Sequence, residues 1–184
     1  MLTPPTTDVA VKLNLGCGDK ILIGYINVDV AESRKGNKPD LVSDITKLDT
    51  FADNSVDEIL TVHVIEHFYY WQLDDVLTEW KRVLKPGGVM ITETPNLLFA
   101  CQQILHNPYK AALPNAQMSM WPLFGNPFEE DELMCHKWCF SPQTLIQLFN
   151  DSGFVNIRQE DAQFKLREPR DFRVVCQKGP EEEK

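Results

Sequence analysis

Ionisable side chains cluster in the middle of the chain, in the segment H-V-I-E-H at residues 63–67. An imidazole has an unperturbed pKa of about 6.5, so it can exchange a proton near neutral pH, and a carboxylate can orient it. His136 adds a third imidazole further along the chain. We therefore take His63, Glu66, His67 and His136 as the candidate catalytic residues.

The same segment matches H-x-x-E-H, the inverted zinc-protease motif. On a helix, His63 and His67 would share one face and could hold a metal, with Glu66 as the base. A metal-dependent hydrolase using these three residues is therefore an alternative. The sequence marks no third ligand, however, and we predict no metal site.

A second candidate for zinc is the run Cys135-His136-x-x-Cys139, with Cys101 as a further thiol. It lacks the paired C-x-x-C knuckles of a structural zinc site. We expect these cysteines to be buried free thiols instead.

A glycine-rich turn, Leu15-Gly16-Cys17-Gly18, follows a short apolar run. Glycines let the backbone turn sharply and approach a ligand closely. The third glycine of a dinucleotide-binding fingerprint is replaced by Ile21. Asp29 lies only 11 residues past Gly18, where that fingerprint places an acid about 20 residues further on. These departures argue against a nicotinamide-dependent dehydrogenase.

The elements that must position these residues alternate between strands and helices. Apolar periodicity predicts helices over residues 73–84, ended by Pro86, Gly87 and Gly88, and over residues 142–152, with Ser141 as N-cap. Seven β-rich runs are predicted as strands: residues 11–15, 25–30, 40–43, 56–62, 89–94, 154–158 and 172–177. The order predicts one Rossmann-like α/β domain over residues 1–184, a mostly parallel sheet of seven or slightly fewer strands with helices on both faces.

Residues 97–137 interrupt this alternation with several prolines and interleaved aromatic residues. We predict a long loop that packs as a cap and forms the acceptor site. Tyr69, Tyr70, Trp121 and Trp138 are expected to line that site or to fill the core under the cap. The two ends of the chain are expected to be loose.

Beyond these local patterns, a series of sequence blocks resembles a known family. The blocks are residues 15–18, 24–29, 44–45, 56–59, 63–68, 80–88 and 152–154. Taken together and in this order, they resemble the class I S-adenosylmethionine-dependent methyltransferases, and most closely the small ones grouped as methyltransferase type 11. The resemblance covers about residues 11–96 and 140–157.

The resemblance implies S-adenosyl-L-methionine as cofactor and a role for each matching residue. The turn formed by Leu15, Gly16, Cys17 and Gly18 would hold the methionine part of the cofactor. Asp29 would accept hydrogen bonds from the ribose, Asp44 would accept one from the adenine amino group, and Ile45 would pack on the ring. His63 would border the sulfonium. All these positions follow strands, at the edge where open α/β sheets form their crevice.

Charge and composition narrow the possible partners. The net charge of −9 disfavours nucleic acid as a partner, since phosphate contacts need clustered Lys and Arg. No apolar run reaches the roughly 18 residues of a membrane span, and the scattered cysteines favour the cytoplasm. We expect a small-molecule or sugar-like acceptor. A cofactor-binding module without transfer activity is a further alternative, and the sequence does not indicate an oligomeric state.

Overall fold

Seven strands form one sheet in the computed structural model, which describes residues 9–32, 35–164 and 169–180. The strands are β1 (Lys12–Leu15), β2 (Ile26–Asp29), β3 (Leu41–Val42), β4 (Val56–Val62), β5 (Leu84–Pro95), β6 (Phe154–Glu160) and β7 (Asp171–Lys178). Their order across the sheet is β3-β2-β1-β4-β5-β7-β6. Only β7 runs antiparallel to its neighbours, so the predicted mostly parallel, Rossmann-like sheet is confirmed.

The position of β1 determines where a ligand can bind. This strand pairs in parallel with β2 on one side and with β4 on the other. The chain therefore builds outward from β1 to β3 and then crosses back to β4, so the strand order reverses beside β1. In open α/β sheets such a reversal opens a crevice at the carboxyl ends of the strands. The loops after β1, β2 and β4 all reach that edge.

The two predicted helices are α1 (Leu73–Val83) and α5 (Pro142–Asp151), and both are confirmed. One face of α1 is buried, including Trp80. At the start of α5 the Ser141 side chain accepts a hydrogen bond from the Thr144 amide, and Gly153 follows the helix with φ +79°. Among the described residues, no helix is long and apolar enough to cross a membrane.

Strand β5 begins five residues earlier than predicted. Leu84 already pairs with Val56, and regular pairing resumes only where Val89 lies opposite Glu58. The intervening residues 85–88 form an irregularity in which Gly87 has φ +78°. The prediction placed the start of the strand after these residues, because proline and glycine disfavour strands. An irregularity at the start of the strand accommodates them.

Residues 97–137 were predicted as a long loop, but they contain three helices. They form α2 (Leu97–His106), α3 (Pro108–Ala111) and α4 (Met120–Phe124), followed by a 3₁₀ turn at Glu132–Met134. The Asn96 side chain caps α2 by accepting from the Leu98 and Phe99 amides. Pro108 occupies the first turn of α3, where proline starts a helix rather than breaking one. The expectation of loose ends concerns mainly residues 1–8 and 181–184, which lie outside the described part of the chain.

A buried ion pair joins β5 to β7 near the crevice. Arg173 Nε lies 2.9 Å from Glu93 Oε1, and the two side chains are 6% and 0% exposed. The Glu93 carboxylate also accepts hydrogen bonds from the Gln163 and Phe164 amides. The pair therefore fixes β7 against β5 and orders the chain that precedes β7.

Removing one partner of this pair should destabilise the fold strongly. We expect Arg173→Met to lower the free energy of unfolding by about 3–5 kcal/mol, because it leaves a buried carboxylate without its cation. The matched control is Arg158→Met, which removes an arginine that is 56% exposed and paired with Glu160. That change should cost less than about 1 kcal/mol in urea denaturation. Equal losses in the two variants would contradict this assignment.

Candidate active site

The glycine turn after β1 is held by the carboxylate at the end of β2. Gly16 and Gly18 have φ values of +64° and +55°, a region that favours glycine. The Gly18 amide donates to Asp29 Oδ2 over 2.7 Å, and the Ala31 amide donates to Asp29 Oδ1 over 2.9 Å. The Cys17 amide donates to the Val28 carbonyl at 3.1 Å. Asp29 is only 5% exposed, so this carboxylate is a fixed part of the turn.

Gly16 also lies against the loop that follows β4. A Cβ atom placed on Gly16 would come within 2.6 Å of Val64 Cγ2. Since Val64 is the residue after His63, the glycine turn and the histidine segment are in direct contact. A side chain at residue 16 would separate them.

Asp44 and Ile45 lie at the same edge of the sheet, beyond β3. The Ser43 amide donates to the Asp29 carbonyl at 2.9 Å, which joins this segment to the end of β2. Asp44 is exposed, and its Oδ1 accepts from the amide and hydroxyl of Thr46. The half-buried Ile45 accepts a hydrogen bond from Trp80 Nε1 at its carbonyl, over 2.8 Å. The predicted cofactor residues are therefore brought to one edge, although their roles stay predictions.

His63 occupies the end of β4 in a strained backbone conformation. Its φ is +57°, which is uncommon for a residue with a side chain, and its amide donates to the Glu93 carbonyl at 2.8 Å. Its ring lies between two acids: Nδ1 is 3.2 Å from Glu66 Oε1, and Nε2 is 3.4 Å from Asp171 Oδ2. The fold accepts local strain here to place an imidazole between buried carboxylates.

The other candidate histidines converge on the same carboxylate. His136 Nε2 lies 3.9 Å from Glu66 Oε1, and the rings of His67 and His136 meet edge to face with centroids 4.8 Å apart. The Lys137 and Trp138 amides both donate to the Glu66 carbonyl, at 2.7 and 3.2 Å. These backbone bonds hold the chain around His136 against the 3₁₀ turn that carries Glu66. All four candidate catalytic residues thus form one cluster.

The surroundings of Glu66 and His136 shift the pKa of each and so determine which of the two is charged. Burial lowers the pKa of His136 below its usual value, an effect only partly opposed by the charge of Glu66. Burial by itself would raise the pKa of Glu66, but the neighbouring His63, His136 and His67 hold it well below its usual range. At neutral pH the cluster therefore contains an ionised Glu66 and a neutral His136.

Three further residues complete the cluster and were missed from the sequence. Thr94 donates to Glu66 Oε2 at 3.0 Å, Asp171 faces His63, and Arg170 Nη1 lies 3.1 Å from Asp171 Oδ2. They come from the end of β5 and the start of β7, far from His63 in sequence. The available signal was the presence of Asp171 and Arg173 next to Phe172 and the apolar residues 174–176 of the same strand.

The structure supports neither the H-x-x-E-H zinc arrangement nor the one that uses Cys135, His136 and Cys139. Val64 has φ −129° and ψ −49°, and only Ile65–His67 form a single 3₁₀ turn, so His63 and His67 do not share a helix face. The expectation of buried free thiols is also wrong for Cys101 and Cys135, which are exposed, while Cys139 is half-buried. Within the described residues, the group of side chains close enough to hold a metal contains no cysteine.

Three of the four predicted aromatic residues do not fill the core under residues 97–137, and the fourth, Trp121, is half-buried. Tyr69, Tyr70 and Trp138 are 41–53% exposed, and Tyr70 contacts Trp138 with centroids 4.9 Å apart. Next to them is a cavity of about 370 Å³ with a mainly apolar lining. It is lined by Leu97, Leu123, Phe124, His136, Lys137, Trp138 and Cys139. His136 therefore contacts both the buried cluster and an open apolar cavity.

Comparison with known proteins agrees with this geometry. Residues 13–92 match the family described as a methyltransferase domain, and this range includes the glycine turn, Asp29, Asp44 and the histidine segment. The match covers less than half of the 184 residues, so it shows a likeness to this family over that range. No curated protein sequence matches the chain significantly.

Several solved methyltransferases share the fold. A SAM-dependent methyltransferase from Archaeoglobus fulgidus is 18% identical with a TM-score of 0.60, over 91% of this chain and 86% of that one. One from Methanosarcina mazei is 16% identical with a TM-score of 0.62, over 92% of both chains. A possible histamine N-methyltransferase from Thermotoga maritima is 19% identical with a TM-score of 0.60, over 91% and 81%. At these identities the likeness shows the fold alone.

The contact between the two loops makes Gly16 more sensitive than other glycines. We expect Gly16→Ala to lower the free energy of unfolding by about 1–3 kcal/mol more than Gly24→Ala, because the added methyl group would clash with Val64. Gly24 is a matched control, since its φ of +86° imposes a similar backbone strain with nothing within 4 Å of the added atom. Urea denaturation measures both. Equal losses would show that the loops do not need this close approach.

Proposed function

We propose that this protein is a methyltransferase that binds S-adenosyl-L-methionine in the crevice beside β1 and transfers its methyl group to a small-molecule or sugar-like acceptor. The observation that carries the proposal is the Asp29 carboxylate, fixed by the Gly18 amide at the end of β2. A carboxylate can accept about four hydrogen bonds, so Asp29 can bind the ribose hydroxyls beside its two backbone bonds. The ligand is then held by a group that is already in place before it binds.

The other proposed cofactor contacts come from residues at the same edge of the sheet, at the carboxyl ends of the strands. The turn Leu15–Gly18 presents nearly bare backbone to the methionine part, while Asp44 accepts from the adenine amino group and Ile45 packs on the ring. His63 and the acids around it lie past the glycine turn, on the side of Val64. The negative charge of this cluster favours a sulfonium, which carries a positive charge.

The cavity beside His136 is the proposed acceptor site. Its apolar lining and the exposed faces of Tyr70 and Trp138 suit a flat ring or a sugar, both of which pack on aromatic side chains. Its volume of about 370 Å³ is in the range of small-molecule sites. The net charge of −9 disfavours a long nucleic acid as the acceptor, because phosphate contacts need clustered Lys and Arg.

Transfer requires an in-line displacement at the methyl carbon. An acceptor oxygen or nitrogen uses its lone pair to form the new bond as the carbon–sulfur bond breaks, and the sulfur keeps that electron pair to give S-adenosylhomocysteine. Alignment of the two reactants supplies about 7–11 kcal/mol of the barrier reduction. The acceptor's proton leaves during or before this step, and the neutral His136 can receive it.

Cofactor binding should depend on Asp29. We expect Asp29→Ala to weaken S-adenosylmethionine binding by more than about 100-fold, because two hydrogen bonds to a charged acceptor contribute about 1.5–3 kcal/mol each. The matched control is Asp57→Ala, whose carboxylate likewise accepts a backbone amide, that of Val11, but at the amino end of the strands. Calorimetry on both folded variants is the measurement. Affinity retained in Asp29→Ala, or lost equally in Asp57→Ala, would refute the assigned ribose contact.

Turnover should depend on His136 more than cofactor binding does. We expect His136→Ala to reduce the formation of S-adenosylhomocysteine by at least about 100-fold across a panel of small hydroxyl and amine acceptors. The Kd for S-adenosylmethionine should stay unchanged. His106→Ala, an exposed histidine at the end of α2, is the control. Unchanged turnover in His136→Ala would remove this residue from the acceptor site, and a wild-type protein that binds cofactor but turns over no acceptor would favour a binding module.

A further inference from the structure

No lysine or arginine of the described residues pairs with the buried carboxylate of Glu66. It is 1% exposed, and among the described residues its ion-pair contacts are to His63 and His136 only. Oε2 accepts the hydroxyl of Thr94, but Oε1 receives no hydrogen bond from the described part of the chain. A buried carboxylate needs a cation or several donors, and imidazoles are the nearest groups to Oε1, so this oxygen can accept a cation.

The two neighbouring imidazoles are held in the form that binds metals. His67 Nδ1 lies 3.1 Å from the Cys135 carbonyl, and His136 Nδ1 lies 2.9 Å from the Pro122 carbonyl. A carbonyl only accepts, so each ring donates from Nδ1, and a neutral ring then carries its lone pair on Nε2. Metal-binding histidines are typically oriented by such a second bond to a backbone carbonyl.

The three side chains are close enough to share one ion. One ligand atom from each of Glu66, His67 and His136 lies within 4.8 Å of the other two. Zinc binds nitrogen and carboxylate oxygen at about 2.0–2.2 Å, so two ligand atoms of a tetrahedral site are about 3.4 Å apart. The three side chains must therefore approach one another by about 1.4 Å to hold the ion.

We propose that Glu66, His67 and His136 bind a divalent transition metal, with Zn²⁺ the best match. Two imidazoles and one carboxylate are a ligand set that holds catalytic zinc with a fourth position open. The site differs from the H-x-x-E-H arrangement, because His136 replaces His63 as a ligand and the fold rather than the local sequence brings it there. His63, 3.2 Å from Glu66 Oε1, acts as a positioning residue for the carboxylate.

His136 also lines the cavity, so an acceptor bound there would lie beside the ion. A hydroxyl of the acceptor that binds there loses its proton more readily, since a metal lowers the pKa of bound oxygen. The proton then leaves to water, and His136 serves as a ligand instead of receiving it. This role rests on the proposed function, whereas binding of the metal does not.

Metal binding can be measured without turnover. We would strip the protein with a chelator, remove the chelator and titrate with ZnCl₂ by calorimetry. We expect one Zn²⁺ per chain, and at least about 100-fold weaker binding in His67→Ala and in His136→Ala, because loss of an orienting partner alone costs 10–100-fold. His106→Ala should bind like the parent. Cobalt in place of zinc should give the visible absorption of a four-coordinate site, and the two ligand variants should lose it.

Other outcomes overturn the proposal. A parent protein that takes up no Zn²⁺, or two ligand variants that fold by circular dichroism and bind as tightly as the parent, would exclude the site. Loss of binding in a Cys135→Ser/Cys139→Ser double variant with retention in His67→Ala would move the site to the thiols. S-adenosylmethionine binding is measured on the same metal-free samples, so a failure of the metal site and a failure of the proposed function are recorded separately.

Discussion

Strand β1 is surrounded on both sides by parallel partners, and the geometry of the site depends on that arrangement. Parallel pairing aligns the carboxyl ends of β2, β1 and β4, so the three following loops must share one edge. The turn after β1 then has backbone amides that need acceptors. Asp29, at the end of the adjacent strand, accepts from Gly18 and so fixes the turn at the mouth of the crevice. The geometry of the proposed cofactor site is therefore a consequence of strand order and of one buried carboxylate.

The neighbouring histidine cluster follows from a second constraint, the burial of charge. Glu66, Asp171 and Glu93 are each almost completely buried, and each is balanced within a network of imidazoles and arginines. Arg173 and Arg170 offset Glu93 and Asp171, while Glu66 relies on histidines. A network of this kind in a low-dielectric surrounding is rigid and holds its charges in place before a ligand arrives. That rigidity is what a transfer reaction needs from residues that align its reactants.

Local sequence rules predicted the parts of the fold that local interactions determine. The N-cap Ser141, Pro142 in the first turn and Gly153 after the last turn defined α5 to within one residue. Apolar spacing likewise defined α1. The strands were recognised as runs, but their exact starts were not, because Leu84 pairs with Val56 across an irregularity that only the sheet specifies. The helices in residues 97–124 could not be predicted, because a proline usually ends a helix but Pro108 occupies the first turn of one.

The site was predictable as a set of residues and not as an arrangement. The glycine turn and the aspartates Asp29 and Asp44 could be predicted from the order and spacing of the strands, because each lies at the end of a strand. Contacts between residues far apart in the chain could not be predicted in this way. The neighbouring residues in the sequence do not indicate that His136 approaches Glu66 or that Asp171 lies beside His63. The exposure of Tyr70 and Trp138 also could not be read, since aromatic residues serve equally in cores and in binding surfaces.

A crystal structure of the protein with S-adenosylhomocysteine tests the central claim most directly. The account predicts the ribose hydroxyls within hydrogen-bonding distance of Asp29, the adenine beside Asp44 and Ile45, and the sulfur near His63. A nucleoside bound elsewhere, with Asp29 still bonded only to the backbone, would contradict it.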